Sequence, residues 1–247
     1  MKTTLLGIIS GIAVIVISVY LKEDRSFFIN LQALLITLGG TTAAVLIYFS
    51  SDAIKYAAKA FLEIFTKKQM SAKKIIDILI ELSKESHYSD IFDLLNMDAV
   101  KKIPFLEKGL TLVADDVQPT QVKSILVRNS RTISEKKRVA ERVFGVAGSF
   151  APMFGMMGTI IGLISMLHQV EDPSAIPAAM GLASVTTFYG LILAALVFIP
   201  ISGKIRDRNH INTKIREIII EGVLSIQRGD NSQITKERLL GYVSDVE

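Results

Sequence analysis

Two neighbouring stretches decide the fold: VFGVAGSFAPMFGMMGTIIGLISMLHQV at residues 143–170 and PSAIPAAMGLASVTTFYGLILAALVFIPISG at residues 173–203. Neither stretch contains Asp, Glu, Lys or Arg, and only Glu171 and Asp172 separate them. A helix of about 20 apolar residues crosses the hydrocarbon core of a bilayer, so each stretch is long enough to span it. The pair is therefore predicted to form a membrane hairpin.

Two further charge-free stretches, at residues 3–21 and 26–51, lie near the start of the chain. The mean hydropathy is +0.42, which suits a membrane protein with a soluble portion. The first stretch could be a signal peptide, but it lacks a small-residue cleavage site and another apolar stretch follows at once. Because only internally hydrogen-bonded backbone is stable in lipid, we predict an all-α membrane protein with four transmembrane helices.

The predicted spans divide the chain into four segments. Residues 1–50 hold the first two transmembrane helices, and residues 51–142 form a helical cytoplasmic domain inserted between spans two and three. Residues 143–203 hold the third and fourth transmembrane helices. Residues 204–247 form a cytoplasmic C-terminal tail.

Basic residues set the predicted orientation, because they flank the spans mostly on one side. The link between the first two spans, residues 22–25, is neutral, and the link between the last two is acidic. By the positive-inside rule, both termini and residues 51–142 lie in the cytoplasm and the protein resides in the inner (plasma) membrane. The flanking basic residues are Lys2, Lys55, Lys59, Lys67, Lys68, Lys73, Lys74, Lys136, Lys137, Arg138, Arg142, Lys204, Arg206 and Arg208.

The net charge of +4 follows from this topology and from attraction to anionic lipid. No basic patch is interleaved with aromatic residues in the way that nucleic-acid binding favours. We therefore predict a membrane partner and no nucleic-acid partner.

Helical periodicity continues between the second and third spans. It predicts one helix over residues 52–65, one that starts after Ser71 as N-cap, one over 88–96 and one from Pro104.

Pro119 occupies a position typical of a helix start, and neither Gly nor Pro interrupts the helical pattern from there to Gly145. We expect one helix from about residue 120 to 168, roughly 70 Å long at 1.5 Å per residue. The fourth span is predicted to begin near Pro177 and to end near Pro200, with a charged, amphipathic tail beyond it.

Small and hydroxyl residues follow one helical face in each of the last two spans, at spacings of three and four. Small residues let helix backbones approach closely, and hydroxyl groups can bond across them. Ordinary helix–helix packing is one interpretation, and a smooth wall around a partner helix that slides or rotates is the other. The faces are Gly145, Gly148, Pro152, Gly155, Thr159 and Gly162 in span three, and Ala183, Thr187, Gly190 and Ala194 in span four.

Prolines and threonines within these spans also allow two interpretations. Pro152 and Pro200 could simply kink their helices. Thr186 and Thr187 could bond the carbonyl groups four residues before them. Thr159 lies on the glycine face, which makes its hydroxyl a candidate to face a cavity.

The four predicted spans carry no carboxylate, Lys or Arg, and His168 at an outer edge is interpreted as an interfacial polar residue. Ion carriers usually place an ionisable residue within the membrane, so another polypeptide must supply the charge if this chain conducts ions. Metal-ligand spacing, intramembrane protease motifs and a phosphate loop are all absent from the sequence. We predict no metal site, no cofactor and no enzymatic activity.

Several motifs resemble the MotA/PomA stator subunits of the bacterial flagellar motor. They are the run from Phe150 to Leu163, the outer Glu171-Asp-Pro173, the run from Val185 to Gly190 that leads to Pro200, and the Gly39-Gly40-Thr41 turn in the middle of span two. The four-span plan with a large insertion matches the family over nearly the whole chain. The wider TolQ/ExbB group fits more loosely, because its members have three spans.

The resemblance implies a rotary mechanism. Five copies, a homopentamer, would surround two helices of a MotB/PomB-type partner, a single-span subunit that binds peptidoglycan. An Asp on that partner would bind the ion, and the cytoplasmic insertion would push the rotor protein FliG.

The resemblance also implies roles for particular residues. Thr159 and Thr187 fall where sodium-driven members place hydroxyl groups, so the transported ion is expected to be Na⁺ rather than H⁺. The implied ion pathway is Thr159, Thr187, Pro152, Pro200 and Thr186. The implied packing surface for the partner helix is Gly148, Gly155, Gly162, Ala183 and Gly190.

The cytoplasmic region departs from the family pattern of charges presented to the rotor. Residues that could serve instead are Lys84, Glu85, Lys101, Lys102 and Glu107. Because this match is weak, the driven machine need not be a flagellum, and a TolQ/ExbB-like energiser of envelope transport is the alternative. A passive membrane scaffold is a third class.

Overall fold

The computed structural model describes residues 2–21, 28–66, 70–172 and 174–242, with the side chains of residues 2–5 and 8 excepted. Predictions that involve residues 22–25, Lys67, Lys68, Pro173 or the side chain of Lys2 lie outside the described residues. Within those ranges every regular element is a helix, so the all-helical prediction is confirmed.

Helices α1 (Lys2–Tyr20), α2 (Leu31–Tyr48) and α3 (Ser51–Thr66) open the chain. They are followed by α4 (Ala72–Glu85), α5 (Ile91–Asn96), α6 (Asp98–Lys101) and α7 (Pro104–Ala114). Two long helices, α8 (Pro119–His168) and α9 (Ile176–Arg228), precede the short α10 (Ser232–Leu240).

The chain forms two compact units. The first comprises Met1–Lys67 and Lys136–Arg206, and the second comprises Lys68–Glu135 and Asp207–Glu247. Helices α8 and α9 each contribute residues to both units.

Three helices are long and apolar enough to cross a membrane: α2, α8 and α9. In α1, the apolar part whose side chains are described, Ile9–Tyr20, is shorter. The membrane character of the chain is thus supported, and the count of four spans stays a prediction.

The predicted helix starts are largely confirmed. Pro119 opens α8, which runs unbroken through Pro152 to His168, and Pro104 opens α7. Ser71 does occupy the N-cap position of α4, but its side chain makes no capping hydrogen bond.

Helix α9 continues past Pro200, near which the fourth span is predicted to end, and the end of that span stays a prediction. A π-helical turn over Leu193–Phe198 directly precedes this proline, and the helix then continues to Arg228. Proline lacks the N–H that would bond the preceding turn, and a local π turn is a common way of accommodating such a break. Beyond it, Ile218 and Val223 are fully buried, so tertiary packing favours the continued helix.

In the first unit, α3 packs its buried face, which includes Ala57 and Ile64, against α8 and α9. The described part of α1 contacts the π turn of α9, where a Cβ on Gly11 would lie 3.1 Å from a methyl carbon of Leu196. The start of α2 packs against α9 through Ala33, Leu182 and Val185.

The second unit has its own hydrophobic core, built from α4, α7, α8 and α9 with contributions from shorter helices. Leu79 of α4 is fully buried, and its side chain fills the space that a Cβ on Gly222 of α9 would need. At the edge of this core, the hydroxyl groups of Ser83 and Thr235 lie 3.2 Å apart and join α4 to α10.

Replacement of Leu79 by alanine is expected to destabilise the second unit by about 2–5 kcal/mol, because it removes a fully buried side chain and leaves a cavity. The measurement is thermal unfolding of the detergent-solubilised full chain, followed by circular dichroism. Ile234→Ala in α10 is the control, since Ile234 is 50% exposed and should lose less than about 1 kcal/mol. Equal losses in the two variants would contradict the core described here.

Candidate functional site

Helices α8 and α9 of the first unit touch through their backbones. A Cβ on Gly190 would lie 2.6 Å from the carbonyl oxygen of Ala151, and one on Gly155 would lie 3.0 Å from the carbonyl oxygen of Thr186. Real Cβ atoms essentially never lie as close as the first of these distances to backbone. Glycine is therefore required where the two backbones touch.

The contact extends in both directions from this point, and we call it the glycine seam. Gly158 and Gly162 continue it toward the start of α9, where a Cβ on Gly162 would lie 2.7 Å from the Ala183 nitrogen. Gly148 continues it toward Ile199, whose side chain would lie 2.9 Å from a Cβ added to this glycine.

The residues predicted to pack against a partner helix all lie in this seam, within one chain. They are Gly148, Gly155, Gly162, Ala183 and Gly190. Their contacts are those of ordinary helix–helix packing, which was the alternative interpretation of the small-residue faces. Contact of the same residues with a partner stays a prediction.

Thr159 and Thr187 meet across the seam, with their hydroxyl oxygens 2.5 Å apart. The Thr159 hydroxyl also lies 3.0 Å from the carbonyl oxygen of Ala183 and 3.2 Å from that of Gly155. The Thr187 hydroxyl lies 3.5 Å from the same Gly155 oxygen. Two hydroxyl and two carbonyl oxygens thus form one cluster, and both threonines are half-buried.

Thr186 takes a different role from its neighbour. Its hydroxyl donates to the carbonyl oxygens of Leu182 and Ala183, each at 3.0 Å, within its own helix. The side chain is fully buried in the space left by Gly158. This bonding within the helix is the alternative that the sequence left open for Thr186, and it does not apply to Thr187.

The two prolines of the predicted ion pathway lie away from the threonine pair. Pro152 follows Ala151, the residue that contacts Gly190, and Pro200 follows Ile199, the residue that contacts Gly148. Along the seam they are therefore displaced from Thr159 and Thr187 toward its Gly148 end. Both prolines are half-buried.

The oxygen cluster is electrically neutral. Each hydroxyl can donate only one proton, and carbonyl oxygens within reach accept those protons. Residues 143–170 and 173–203 contain no Asp, Glu, Lys or Arg, so no side-chain carboxylate of these stretches faces the cluster. Nor do the described residues contain a His, Cys, Asp or Glu group that could hold a metal ion. The cluster offers hard oxygen ligands and no charge of its own.

Tyr189 is a site residue that the sequence analysis missed. Its hydroxyl donates to the carbonyl oxygen of Phe28 at 2.6 Å and accepts from the backbone N–H of Asn30 at 3.2 Å. These two hydrogen bonds join α9 to the residues just before α2. A tyrosine within an apolar helix was the available signal, because a buried hydroxyl group needs a partner.

Phe154 was also missed, although it explains Gly40, the second glycine of the pair in α2. Its ring occupies the place that a Cβ on Gly40 would need, so the phenyl group packs directly on the backbone of α2. The chain stays helical here, with a π turn over Leu35–Gly39 just before Gly40.

The turn between α8 and α9 is exposed and polar. The Asp172 carboxylate accepts hydrogen bonds from the Ser174 hydroxyl at 2.6 Å and the Ser174 backbone N–H at 3.0 Å. These bonds favour the charged form and lower the pKa of Asp172 below its usual value. His168, at the end of α8, is exposed, and its interfacial position in a membrane stays a prediction.

The residues predicted to contact the rotor are all exposed in the second unit. They are Lys84, Glu85, Lys101, Lys102 and Glu107. Glu85 differs from the others because its carboxylate accepts a hydrogen bond from the Ser89 hydroxyl at 2.9 Å. That bond tightens the turn after α4.

Comparison with known proteins identifies relatives over the full chain. The model of the MotA/TolQ/ExbB proton channel family matches residues 99–218. Chemotaxis protein PomA of Vibrio alginolyticus is 31% identical over 242 residues, which cover 98% of this chain and 95% of PomA. Motility protein A of Borreliella burgdorferi is 32% identical over 235 residues, which cover 94% of this chain and 89% of that protein.

A solved structure gives the same result for the fold. A chain of the flagellar MotAB stator complex from Bacillus subtilis matches with a TM-score of 0.87 at 27% identity, covering 98% of this chain and 96% of that chain. The resemblance found in the sequence motifs is thus confirmed, and the chain is MotA-like along its length. It belongs to the MotA/TolQ/ExbB proton channel family, whose stator subunits are components of ion channels and torque generators rather than enzymes.

Proposed function

We propose that this chain is the sodium-driven, torque-generating stator subunit of a flagellar motor. Five copies surround two helices of a MotB/PomB-type subunit, which spans the membrane once and binds peptidoglycan. The observation that carries the proposal is the pairing of Thr159 with Thr187 in two long apolar stretches that contain no carboxylate, Lys or Arg.

The oxygen cluster explains why a partner is needed. It supplies neutral ligands suited to a partly dehydrated alkali cation, while an Asp on the partner helix supplies the negative charge. Thr159 and Thr187 are only half-buried, so a partner helix can approach them at the edge of the glycine seam. Similarity to chains of solved MotAB complexes supports a partner of this kind.

The proposed topology places four spans in the inner membrane with both termini in the cytoplasm. The spans lie in residues 1–50 and 143–203, and residues 51–142 and 204–247 are cytoplasmic. The basic residues that flank the spans support this orientation by the positive-inside rule. In this arrangement the exposed Lys84, Lys101, Lys102 and Glu107, together with Glu85, are the proposed contacts with the rotor protein FliG.

Replacement of Thr159 by valine should abolish torque while the complex still assembles. Valine keeps the shape of the side chain and removes the hydroxyl that links Thr187 and the Ala183 carbonyl. The loss of stability should stay within about 1–2 kcal/mol, because one hydrogen-bonding group is removed. The measurements are swimming speed and the yield of the purified complex, and Thr159→Ser should restore swimming.

Thr42→Val is the matched control for this experiment. Thr42 also lies in an apolar helix, but its hydroxyl is exposed and bonds only its own helix, at the Leu38 carbonyl. Its replacement should leave swimming unchanged. Normal motility in Thr159→Val cells would show that the hydroxyl cluster has no part in ion passage.

Replacement of sodium by potassium at constant pH and ionic strength should stop rotation, because the oxygen cluster is proposed to serve a sodium ion. The measurement is the rotation rate of tethered cells, and return of sodium should restore it. Unchanged rotation without sodium, combined with loss of rotation on dissipating the proton gradient, would assign the chain to proton coupling instead.

A TolQ/ExbB-like energiser of envelope transport is the second candidate. It is favoured by one observation, namely that the charges around Lys84 do not follow the stator family's pattern. Co-purification of the full chain with its neighbouring membrane protein separates the two. A partner with a peptidoglycan-binding domain is expected for the stator, and a partner that contacts an outer-membrane transporter would support the energiser.

A further inference from the structure

Helix α3 has two chemically different faces. Ala53, Ala57, Ala60 and Ile64 form its buried face. On the opposite side, Lys55, Lys59 and Leu62 follow one another at spacings of four and three, and all three are exposed. We call this surface the α3 ridge. A helix that is basic and apolar on its exposed side is typical of a membrane-surface element.

The ridge lies where the charge-free stretches end. Helix α3 starts at Ser51, directly after α2 ends at Tyr48. Its buried face contacts Val143, the first residue of one charge-free stretch, and Ile201 and Ile205, which flank the end of the other. In a bilayer that holds these stretches, the ridge is therefore at the level of the lipid headgroups.

A cation from α8 joins the ridge. The ammonium group of Lys136 lies 5.5 Å from the centroid of the Tyr56 ring, and Tyr56 is next to Lys55 on α3. Such a cation–π contact holds the ammonium group beside the helix while its N–H groups can still donate to other acceptors.

Carboxylates do not neutralise this cluster. Among the described residues neither Lys59 nor Lys136 has a carboxylate partner. Glu63 pairs with Lys137, and Asp52 lies 3.5 Å from Lys55 in a pair whose side chains are 72% and 75% exposed. Exposed pairs of this kind are weak, so Lys55 also contributes its charge to the surface.

We propose that the α3 ridge and Lys136 bind the headgroup of an anionic phospholipid from the surrounding bilayer. The ammonium groups of Lys59 and Lys136 donate to the phosphodiester oxygens. Leu62, which is 62% exposed, packs against the glycerol and the first carbons of the acyl chains. The bilayer is the source of the ligand because the site directly adjoins the apolar stretches and offers an apolar residue that free phosphate would not use.

The test measures lipid selectivity with the full chain in phosphatidylcholine vesicles. Trace spin-labelled phosphatidylglycerol or phosphatidylcholine is added, and electron paramagnetic resonance gives the fraction of each lipid held at the protein. Lys59→Gln/Lys136→Gln should reduce the preference for phosphatidylglycerol roughly 25-fold at low salt, since each of the two lysines contributes about fivefold near an anionic lipid. Lys59→Arg/Lys136→Arg should keep the preference, because the charge remains.

Lys101→Gln/Lys102→Gln is the matched control, as it removes two exposed charges from the other unit. It should keep the wild-type preference, and circular dichroism should show unchanged helix content in every variant. An unchanged preference in Lys59→Gln/Lys136→Gln, or an equal loss in the control, would overturn the proposal. A change in oligomer size with unchanged lipid preference would also overturn it, because the ridge would then face a second copy of the chain.

Discussion

The contact between the backbones of α8 and α9 is the constraint on which the rest of the membrane-associated unit depends. At Gly155 and Gly190 the helices approach until a single added carbon would collide with a carbonyl oxygen or a backbone carbon. Apolar burial contributes little to helix association in lipid, so close packing and hydrogen bonds must hold such a pair together. The close approach limits the size of the side chains along the glycine seam.

The oxygen cluster is a product of the same close approach. Thr159 and Thr187 can share a hydrogen bond because Gly155 and Gly190 beside them occupy almost no space. Their hydroxyl groups are satisfied within the protein, so the site is stable while it is neutral. In the proposed stator complex, the negative charge for a cation at this neutral site comes from the partner subunit.

Much of this architecture follows from the sequence. The charge-free stretches and the proline at position 119 predicted the long helices, because backbone in lipid must bond internally and proline is favoured at a helix start. The unbroken passage of α9 through Pro200 was not predictable, since it depends on a π turn and on tertiary burial of the residues that follow.

The helix that packs against the glycine faces could not be predicted either. Spacings of three and four specify which face of a helix is small, but they do not say whether that face meets the same chain or a different one. Thr186 and Thr187 are adjacent and chemically identical, yet one bonds its own helix and the other bonds across the seam. Only the rotation of α9 about its axis distinguishes them.

Tyr189 connects α9 to main-chain atoms alone, at Phe28 and Asn30. Hydrogen bonds to backbone atoms do not depend on the side chains of the residues that they join. Replacement of Phe28 would therefore leave these hydrogen bonds in place but remove the edge contact of its ring with Phe188, whereas loss of the phenol from position 189 would remove the hydrogen bonds. Of the contacts that join residue 28 to α9, only the one between the rings depends on which side chain stands at that position.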